Sequence, residues 1–269
     1  MNTKLQPLHT WPQSDAKSIR GVLTDIDGTL TYDGRVPASV FDAMEKLQTA
    51  GLLVIPITGR PAGWCDMIAR SWPVDGVVGE NGALYFSRDT ESNTMRRVFI
   101  DSDEVRAENR RKLDTIRDEI LASIPGAGIS SDQPYRVADL AIDFCEDVKP
   151  LSQDEIDTIA SIFHKHGATA KVSSIHVNGW FGEYDKLSMT KRMMRELYDM
   201  DLALDKNNYA FVGDSPNDCP MFEYFPNAIG VANLLSMQDQ CSALPTWITT
   251  KPEGEGFVEV AEKILSSIK

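Results

Sequence analysis

The stretch Ile19-Arg20-Gly21-Val22-Leu23-Thr24-Asp25-Ile26-Asp27-Gly28-Thr29 is an apolar run that turns polar at its end. A continuous apolar run closed by polar residues and glycine is the profile of a buried parallel strand with function at its C-terminal end. Pro37 then precedes Val40, Met44 and Leu47, which share one helical face, and Gly51 supplies the stop. The same strand rhythm recurs twice more: Leu52 to Ile57 ends at Thr58-Gly59-Arg60, and Val74 to Val78 ends at Gly79-Glu80-Asn81-Gly82. In an open parallel sheet those three polar ends lie along one edge, where ligands bind. After Lys186 the rhythm returns, with a helix through Leu197, a strand Tyr209 to Val212 ending in Gly213-Asp214-Ser215, a helix from about Asn217, a strand Ala228 to Val231 and a last helix near Phe257 to Ile268. The two halves need each other to complete one sheet.

Between them the pattern changes. Phe86 to Trp180 holds a charged helical stretch (Glu104 to Ile124), an alternating strand over Val137 to Phe144, a capping box at Ser152-Gln153-Asp154-Glu155 opening a helix closed by Gly167, and a strand over Ala170 to Val177. This reads as an inserted α+β lid. The fold class expected is α/β, a Rossmann-like parallel-sheet core of residues 1–85 and 181–269 with the lid at 86–180. The lid should open and close on hinges near 82–87 and 179–185, where Gly82, Gly179 and Gly182 permit bending. The first 17 or so residues are expected to be unstructured or loosely docked.

Composition narrows the function. The 269 residues are 42% hydrophobic and 25% charged, ordinary for a globular protein. Lys and Arg number 27 against 40 Asp and Glu, a formal charge of −13, which disfavours nucleic acid and anionic membranes as partners. The four cysteines, Cys65, Cys145, Cys219 and Cys241, form no C-x-x-C pattern, so neither zinc nor a disulfide framework is suggested and a reducing, cytoplasmic setting is expected. No run approaches the roughly 18 apolar residues of a membrane span.

Asp25 and Asp27 place two carboxylates two residues apart at a strand end, with Gly28 letting backbone N–H groups approach an anion. A calcium loop is excluded, since Gly28 stands fourth instead of sixth and Val36 stands at the twelfth position. Such a dyad suits phosphoryl transfer: one carboxylate attacks phosphorus, and the other protonates the leaving group and later activates water. Two carboxylates cannot approach an anionic phosphate unaided, so a divalent cation and a fixed lysine are expected. Asp214, Asn217, Asp218 and Lys186 are the candidates, and oxygen-only ligands point to Mg²⁺.

The ordered set Asp25-x-Asp27-Gly28-Thr29, Thr58-Gly59-Arg60, Lys186 and Gly213-Asp214-Ser215-x-Asn217-Asp218 resembles the four motifs of the haloacid dehalogenase superfamily. Asn81-Gly82-Ala83 and the place of the insert resemble its subgroup with a type IIB cap, which includes sucrose-phosphate phosphatase, mannosyl-phosphoglycerate phosphatase and phosphomannomutase. The resemblance implies Asp25 as nucleophile and Mg²⁺ ligand, Asp27 as general acid/base with its backbone carbonyl on the metal, and Asp214 as the remaining carboxylate ligand. It further implies Thr58 as phosphate donor, Lys186 as charge partner, and Asn217 and Asp218 as holders of metal waters and of the lysine. Many relatives carry Lys-Gly at the third motif, whereas Leu187 follows Lys186 here, which makes Lys191 the fallback. Gly28, Gly59, Arg60 and Asn81 would bind phosphate or substrate.

In the insert, His176 and Asn178 share the strand face opposite Ile175 and Val177, and so point toward a substrate. Twelve basic and 17 acidic residues between Phe86 and Trp180 leave that lid acidic, so a polyanionic substrate is not favoured. The expected activity is Mg²⁺-dependent hydrolysis of a small phosphomonoester through an aspartyl phosphate. The substrate class, a phosphosugar or a related polyol or glycerate phosphate, is implied by the resemblance alone. A sugar phosphomutase and a non-catalytic Mg²⁺-binding module are the alternatives.

Overall fold

The computed structural model describes residues 5–173 and 175–268. The chain opens with β1 (Gln6–Pro7), α1 (Gln13–Ser18), β2 (Gly21–Thr24), α2 (Ala38–Thr49), β3 (Leu53–Pro56), α3 (Ala62–Ser71) and β4 (Val77–Gly79). A hairpin of β5 (Leu84–Asp89) and β6 (Thr94–Phe99) leads to α4 (Asp103–Ser123), β7 (Gly128–Ile129), β8 (Leu140–Asp143), α5 (Gln153–Lys165), β9 (Thr169–Val172) and β10 (His176–Trp180). The chain closes with α6 (Lys186–Tyr198), α7 (Leu202–Asp205), β11 (Tyr209–Gly213), α8 (Cys219–Tyr224), β12 (Asn227–Gly230), β13 (Trp247–Ile248) and α9 (Glu253–Ile268).

Six parallel strands form the main sheet in the order β1-β13-β12-β11-β2-β3, and a bridge from Ile57 to Val78 adds β4 beyond β3. Each central strand is buried on both faces, as a parallel sheet covered by helices requires. Val22, Val54 and Val212 face α2, α3 and α9 in one apolar cluster; their neighbours Leu23, Ile55 and Phe211 face α6 and α8 in another. The period-two alternation of each strand therefore builds two cores, one on either side of the sheet.

The insert is a separate layer. Its antiparallel sheet, ordered β7-β8-β10-β9, packs Leu140, Ile142 and Val177 against Leu113, Ile116 and Ile120 of α4 and Ile159 and Phe163 of α5. The opposite face, carrying Ala141, Asp143, His176 and Asn178, is left for the strand ends of the larger sheet. A Ser152 capping box does start α5, with Glu155 reaching back to the Ser152 N–H at 2.7 Å.

Several details differ from the sequence reading. The N-terminal segment is packed from residue 5 onward: β1 pairs with β13, and Leu8 and Trp11 are 1% exposed in the larger core. Two large apolar side chains in a short segment suffice to dock it. Ala170 to Val177 is not one strand but the two arms of a hairpin, because Ser173 turns the chain by accepting from the His176 N–H at 3.0 Å. Leu84–Phe99 pairs with β4 and sends Phe86 into the larger core, so packing supports a lid boundary nearer Ser102 than 86. Gly82 is no free hinge, since with φ at 108° its Cα lies against the Asp185 carbonyl, where a Cβ would collide. The segments that lead into and out of the insert are Ile100–Ser102 and Phe181–Asp185.

Replacing Trp11 by Ala should remove the indole, along with its 3.3 Å hydrogen bond to Asn227 Oδ1, and lower stability by about 3–5 kcal/mol in urea unfolding. A change under about 0.5 kcal/mol would return the N-terminal segment to a loosely docked role.

Candidate active site

Parallel strands all end on one edge, and the larger sheet delivers its polar loops there. β2 and β11 are neighbours, with Val212 opposite Thr24, and the Asp25 N–H donates to Val212 O at 2.9 Å. Asp25 and Asp214 therefore emerge side by side. Capping by Asp185, whose side chain accepts from the Ser188 N–H at 2.7 Å, starts α6 so that Lys186 is its first residue. The lysine enters the same edge with its ammonium 2.7 Å from Asp25 Oδ1 and 2.9 Å from Asp218 Oδ1. Lys191 lies elsewhere, 4.0 Å over the Tyr224 ring, so Lys186 is the lysine at this site.

One carboxylate oxygen each from Asp25, Asp214 and Asp218 lies within 4.8 Å of the others. All three side chains are buried, and the single lysine cannot neutralise them. Burial raises Asp25 to about 7 against the opposing pull of Lys186, and burial together with Asp25 and Asp218 raises Asp214 well above the usual carboxylate range. Burial works against the charge on Lys186, yet Asp218 and Asp25 outweigh it and raise its pKa. The lysine is thus a fixed cation.

The excess negative charge is the electrostatic signature of a cation site. Its donors are all oxygen, which suits Mg²⁺. Asp218 also accepts from the Asp214 and Ser215 N–H groups, at 3.1 and 3.4 Å, so its oxygens are already committed. Asp214 is held by Asn233 Nδ2 at 3.0 Å, and the same amide donates to Gly28 O at 2.9 Å. Asn233 belongs to no motif and was invisible in the sequence. Gly28, with φ at 74°, lies so close to Asp214 that any side chain there would collide with its carboxylate.

Asp27 is paired with Arg60, whose Nε lies 3.0 and 2.9 Å from the two carboxylate oxygens and whose Nη2 lies 2.8 Å from Oδ1. The guanidinium expected to meet phosphate thus faces Asp27, sandwiched against the Trp64 ring at 4.4 Å. Thr58 is fully buried, and its hydroxyl accepts from the Arg60 N–H at 3.0 Å. Asn81, with φ at 55°, is tied to the Thr58 loop by its N–H to Thr58 O at 3.1 Å.

Most of these residues share a chamber of about 290 Å³ with the lid, whereas Gly28, Thr58 and Asp218 stand behind its lining. Asp25, Asp27, Gly59, Arg60, Asn81, Lys186, Asp214 and Asn217 form its floor; Arg136, His176 and Asn178 form its roof. His176 and Asn178 thus face the acids, as their strand parity required. Burial lowers the His176 pKa while Glu146, with Oε2 2.8 Å from Nε2, opposes. Arg136 escaped notice in the sequence, because nothing in Gln133-Pro134-Tyr135-Arg136 marks it. Its guanidinium grips Asp132 at 2.8 and 3.0 Å and reaches across to Gly59 O at 3.0 Å.

Known proteins resemble this chain in sequence and fold. A family model described as haloacid dehalogenase-like hydrolase matches residues 22–108. The phosphoglycolate phosphatase of Methanobrevibacter smithii is 25% identical over 258 residues, spanning 92% of this chain and 99% of that protein. The solved structure of Thermoplasma acidophilum 0175 matches with a TM-score of 0.69 at 18% identity, covering 91% of this chain and 98% of its own. A haloacid dehalogenase subclass IIB sugar phosphatase matches with a TM-score of 0.61 at 15% identity, covering 90% of this chain and 98% of its own.

Magnesium chloride at about 100 times its Kd should stabilise the protein by about 2.7 kcal/mol in thermal unfolding. Asp214→Asn should abolish most of that gain. An unchanged melting temperature with and without the ion in the wild type would show that the acid cluster holds no divalent cation.

Proposed function

We propose that this chain is a haloacid dehalogenase-like phosphatase with a type IIB cap that hydrolyses small phosphomonoesters through Asp25. The observation that carries the reading is the convergence of Asp25, Asp214, Asp218 and Lys186 at one strand edge, with Asp27 two residues from Asp25. The catalytic core is residues 5–101 and 181–268, and the cap is 102–180.

In this reading an Asp25 carboxylate oxygen forms a bond to phosphorus as the ester P–O bond breaks, giving an aspartyl phosphate. Asp27 gives a proton to the departing oxygen, a role that requires it to be protonated and released from its pairing with Arg60 as substrate enters. It then takes a proton from the water that attacks phosphorus, which releases phosphate and restores Asp25. Lys186, held between Asp25 and Asp218, offsets charge on the equatorial oxygens. The Thr58 hydroxyl uses its lone pair for the Arg60 N–H and keeps its own proton for a phosphate oxygen. Gly28, Gly59 and Asn81 shape the backbone cradle around that phosphate.

Mg²⁺, held by Asp25, Asp214 and the Asp27 backbone carbonyl, would supply charge neutralisation for the approaching phosphate. Asn217 would steady its waters, and Asp218 would hold Lys186. Arg60 keeps the Asp27 carboxylate in place on the chamber floor. The leaving group sits under Arg136, His176 and Asn178, in space for a small metabolite only. Phosphosugars and polyol or glycerate phosphates fit that space, and the curated relatives, named for phosphoglycolate, fit the same size class. Dry attack and wet regeneration at one carboxylate call for a cap that closes on substrate and opens for turnover.

Phosphate release from a panel containing 2-phosphoglycolate, glycerol 3-phosphate, hexose 1-phosphates and hexose 6-phosphates tests the reading. Wild type should release phosphate in the presence of Mg²⁺ and stop in EDTA. Asp25→Asn should reduce release to background, and Asp27→Asn should lower turnover by about 10²–10⁴-fold. Wild-type turnover in Asp25→Asn would move the nucleophile elsewhere; conversion of hexose 1-phosphate to 6-phosphate without release would make the protein a mutase.

A further inference from the structure

The seam between cap and core contains a buried carboxylate for which the hydrolytic steps have no use. Glu80 follows β4, is fully buried and has φ at 44°. It accepts hydrogen bonds from four backbone N–H groups: Ala62 at 2.8 Å, Val137 at 2.9 and 3.2 Å, Ala138 at 2.6 Å and Asp139 at 3.3 Å. Ala62 is the first residue of α3 in the core; the other three are consecutive in the cap. Successive N–H groups around one anion form a nest, and here the anion belongs to the opposite domain. Glu80 therefore sets where the 137–139 backbone sits over the core.

That backbone carries Asp139, whose side chain is fully buried. Its carboxylate accepts from Arg136 Nη1 at 3.1 and 3.0 Å and from Asn178 Nδ2 at 3.1 Å. A carboxylate has only acceptor oxygens, so the Asn178 amide must turn its NH₂ end toward Asp139. Its carbonyl oxygen is the end that remains for the chamber, which Asn178 lines. Among the described residues, none donates to that oxygen. A wall group fixed as an acceptor in a nearly dry site discriminates by what the ligand offers it.

We infer that Asn178 Oδ1 is a specificity-determining acceptor for a hydroxyl on the leaving group, and that Asp139, Arg136 and Glu80 are the positioning residues that fix its orientation. The substrate class is a phosphomonoester whose leaving group carries at least one free hydroxyl, as in a polyol or sugar, which sets it apart from 2-phosphoglycolate, a molecule of similar size with no free hydroxyl. This deepens the phosphatase reading and rests on it.

The test compares kcat/KM for glycerol 3-phosphate and glucose 6-phosphate with that for propyl phosphate, which lacks the hydroxyls, and uses p-nitrophenyl phosphate as a control for the chemistry. Wild type should favour at least one hydroxylated ester over propyl phosphate by about tenfold or more, mainly through KM. Asn178→Ala should bring that ratio to near one. Asp139→Asn, which lets the amide turn either way, and Glu80→Gln should each lower the ratio, a selectivity change that a general loss of folding does not produce. An unchanged ratio in Asn178→Ala and Asp139→Asn overturns the inference, as does a wild type indifferent to the hydroxyl. Hydrolysis of p-nitrophenyl phosphate without any hydroxyl preference sinks this inference alone, whereas no hydrolysis of any ester sinks the phosphatase reading with it.

Discussion

Three buried carboxylates with oxygens within 4.8 Å of one another, two of them bridged by a single lysine, are an arrangement that no protein tolerates without compensation. Desolvation and mutual repulsion push Asp25 and Asp214 toward their neutral forms, and Lys186 answers only part of that charge. The rest of the molecule is organised around the deficit. The sheet brings β2 and β11 together so that the acids must meet, Asp185 caps α6 so that Lys186 must face them, and Asn233 clamps Asp214 to Gly28. A dianionic phosphate enters such a site only with a cation, and the same charge that repels it then aligns it.

A second charge system lies along the cap seam. Asp27 pairs with Arg60, Arg60 Nη1 lies 3.8 Å from Asp132, Asp132 pairs with Arg136, and Arg136 pairs with Asp139. The signs alternate from Asp27 in the core to Asp139 in the cap. Of these pairs only Arg60–Asp132 crosses between core and cap; Asp27–Arg60 lies within the core, and Asp132–Arg136–Asp139 within the cap.

Local order made part of this legible in the sequence. Residues at the ends of apolar runs could be placed because parallel strands share an edge, which is why Asp25, Asp27, Thr58 and Asp214 fall where their positions indicate. Lys186 was readable as the head of a helix. His176 and Asn178 follow from strand parity, although the Ser173-Ser174 pair that interrupts the run between Ala170 and Val177 is the signal of the hairpin turn. The unreadable parts are those set by contacts distant in sequence. Asn233 reaches back 205 residues to Gly28, and Glu80 meets the 137–139 backbone nearly 60 residues on. Most of the β5–β6 hairpin falls inside the 86–180 stretch expected as the lid, and its pairing with β4, which no local pattern announces, packs it beside the larger sheet. Leu8 and Trp11 sit in a polar segment whose composition hides two anchors.

The central claim is covalent: phosphate passes through Asp25. Acid-quenching the enzyme during turnover with Mg²⁺ and a hydrolysed phosphomonoester, followed by mass spectrometry of its peptides, tests this most directly. The account predicts a phosphoryl group on the peptide containing Asp25, lost on standing in alkali and absent from Asp25→Asn. A phosphoryl group on any other side chain, or steady turnover with Asp25 never modified, would contradict it.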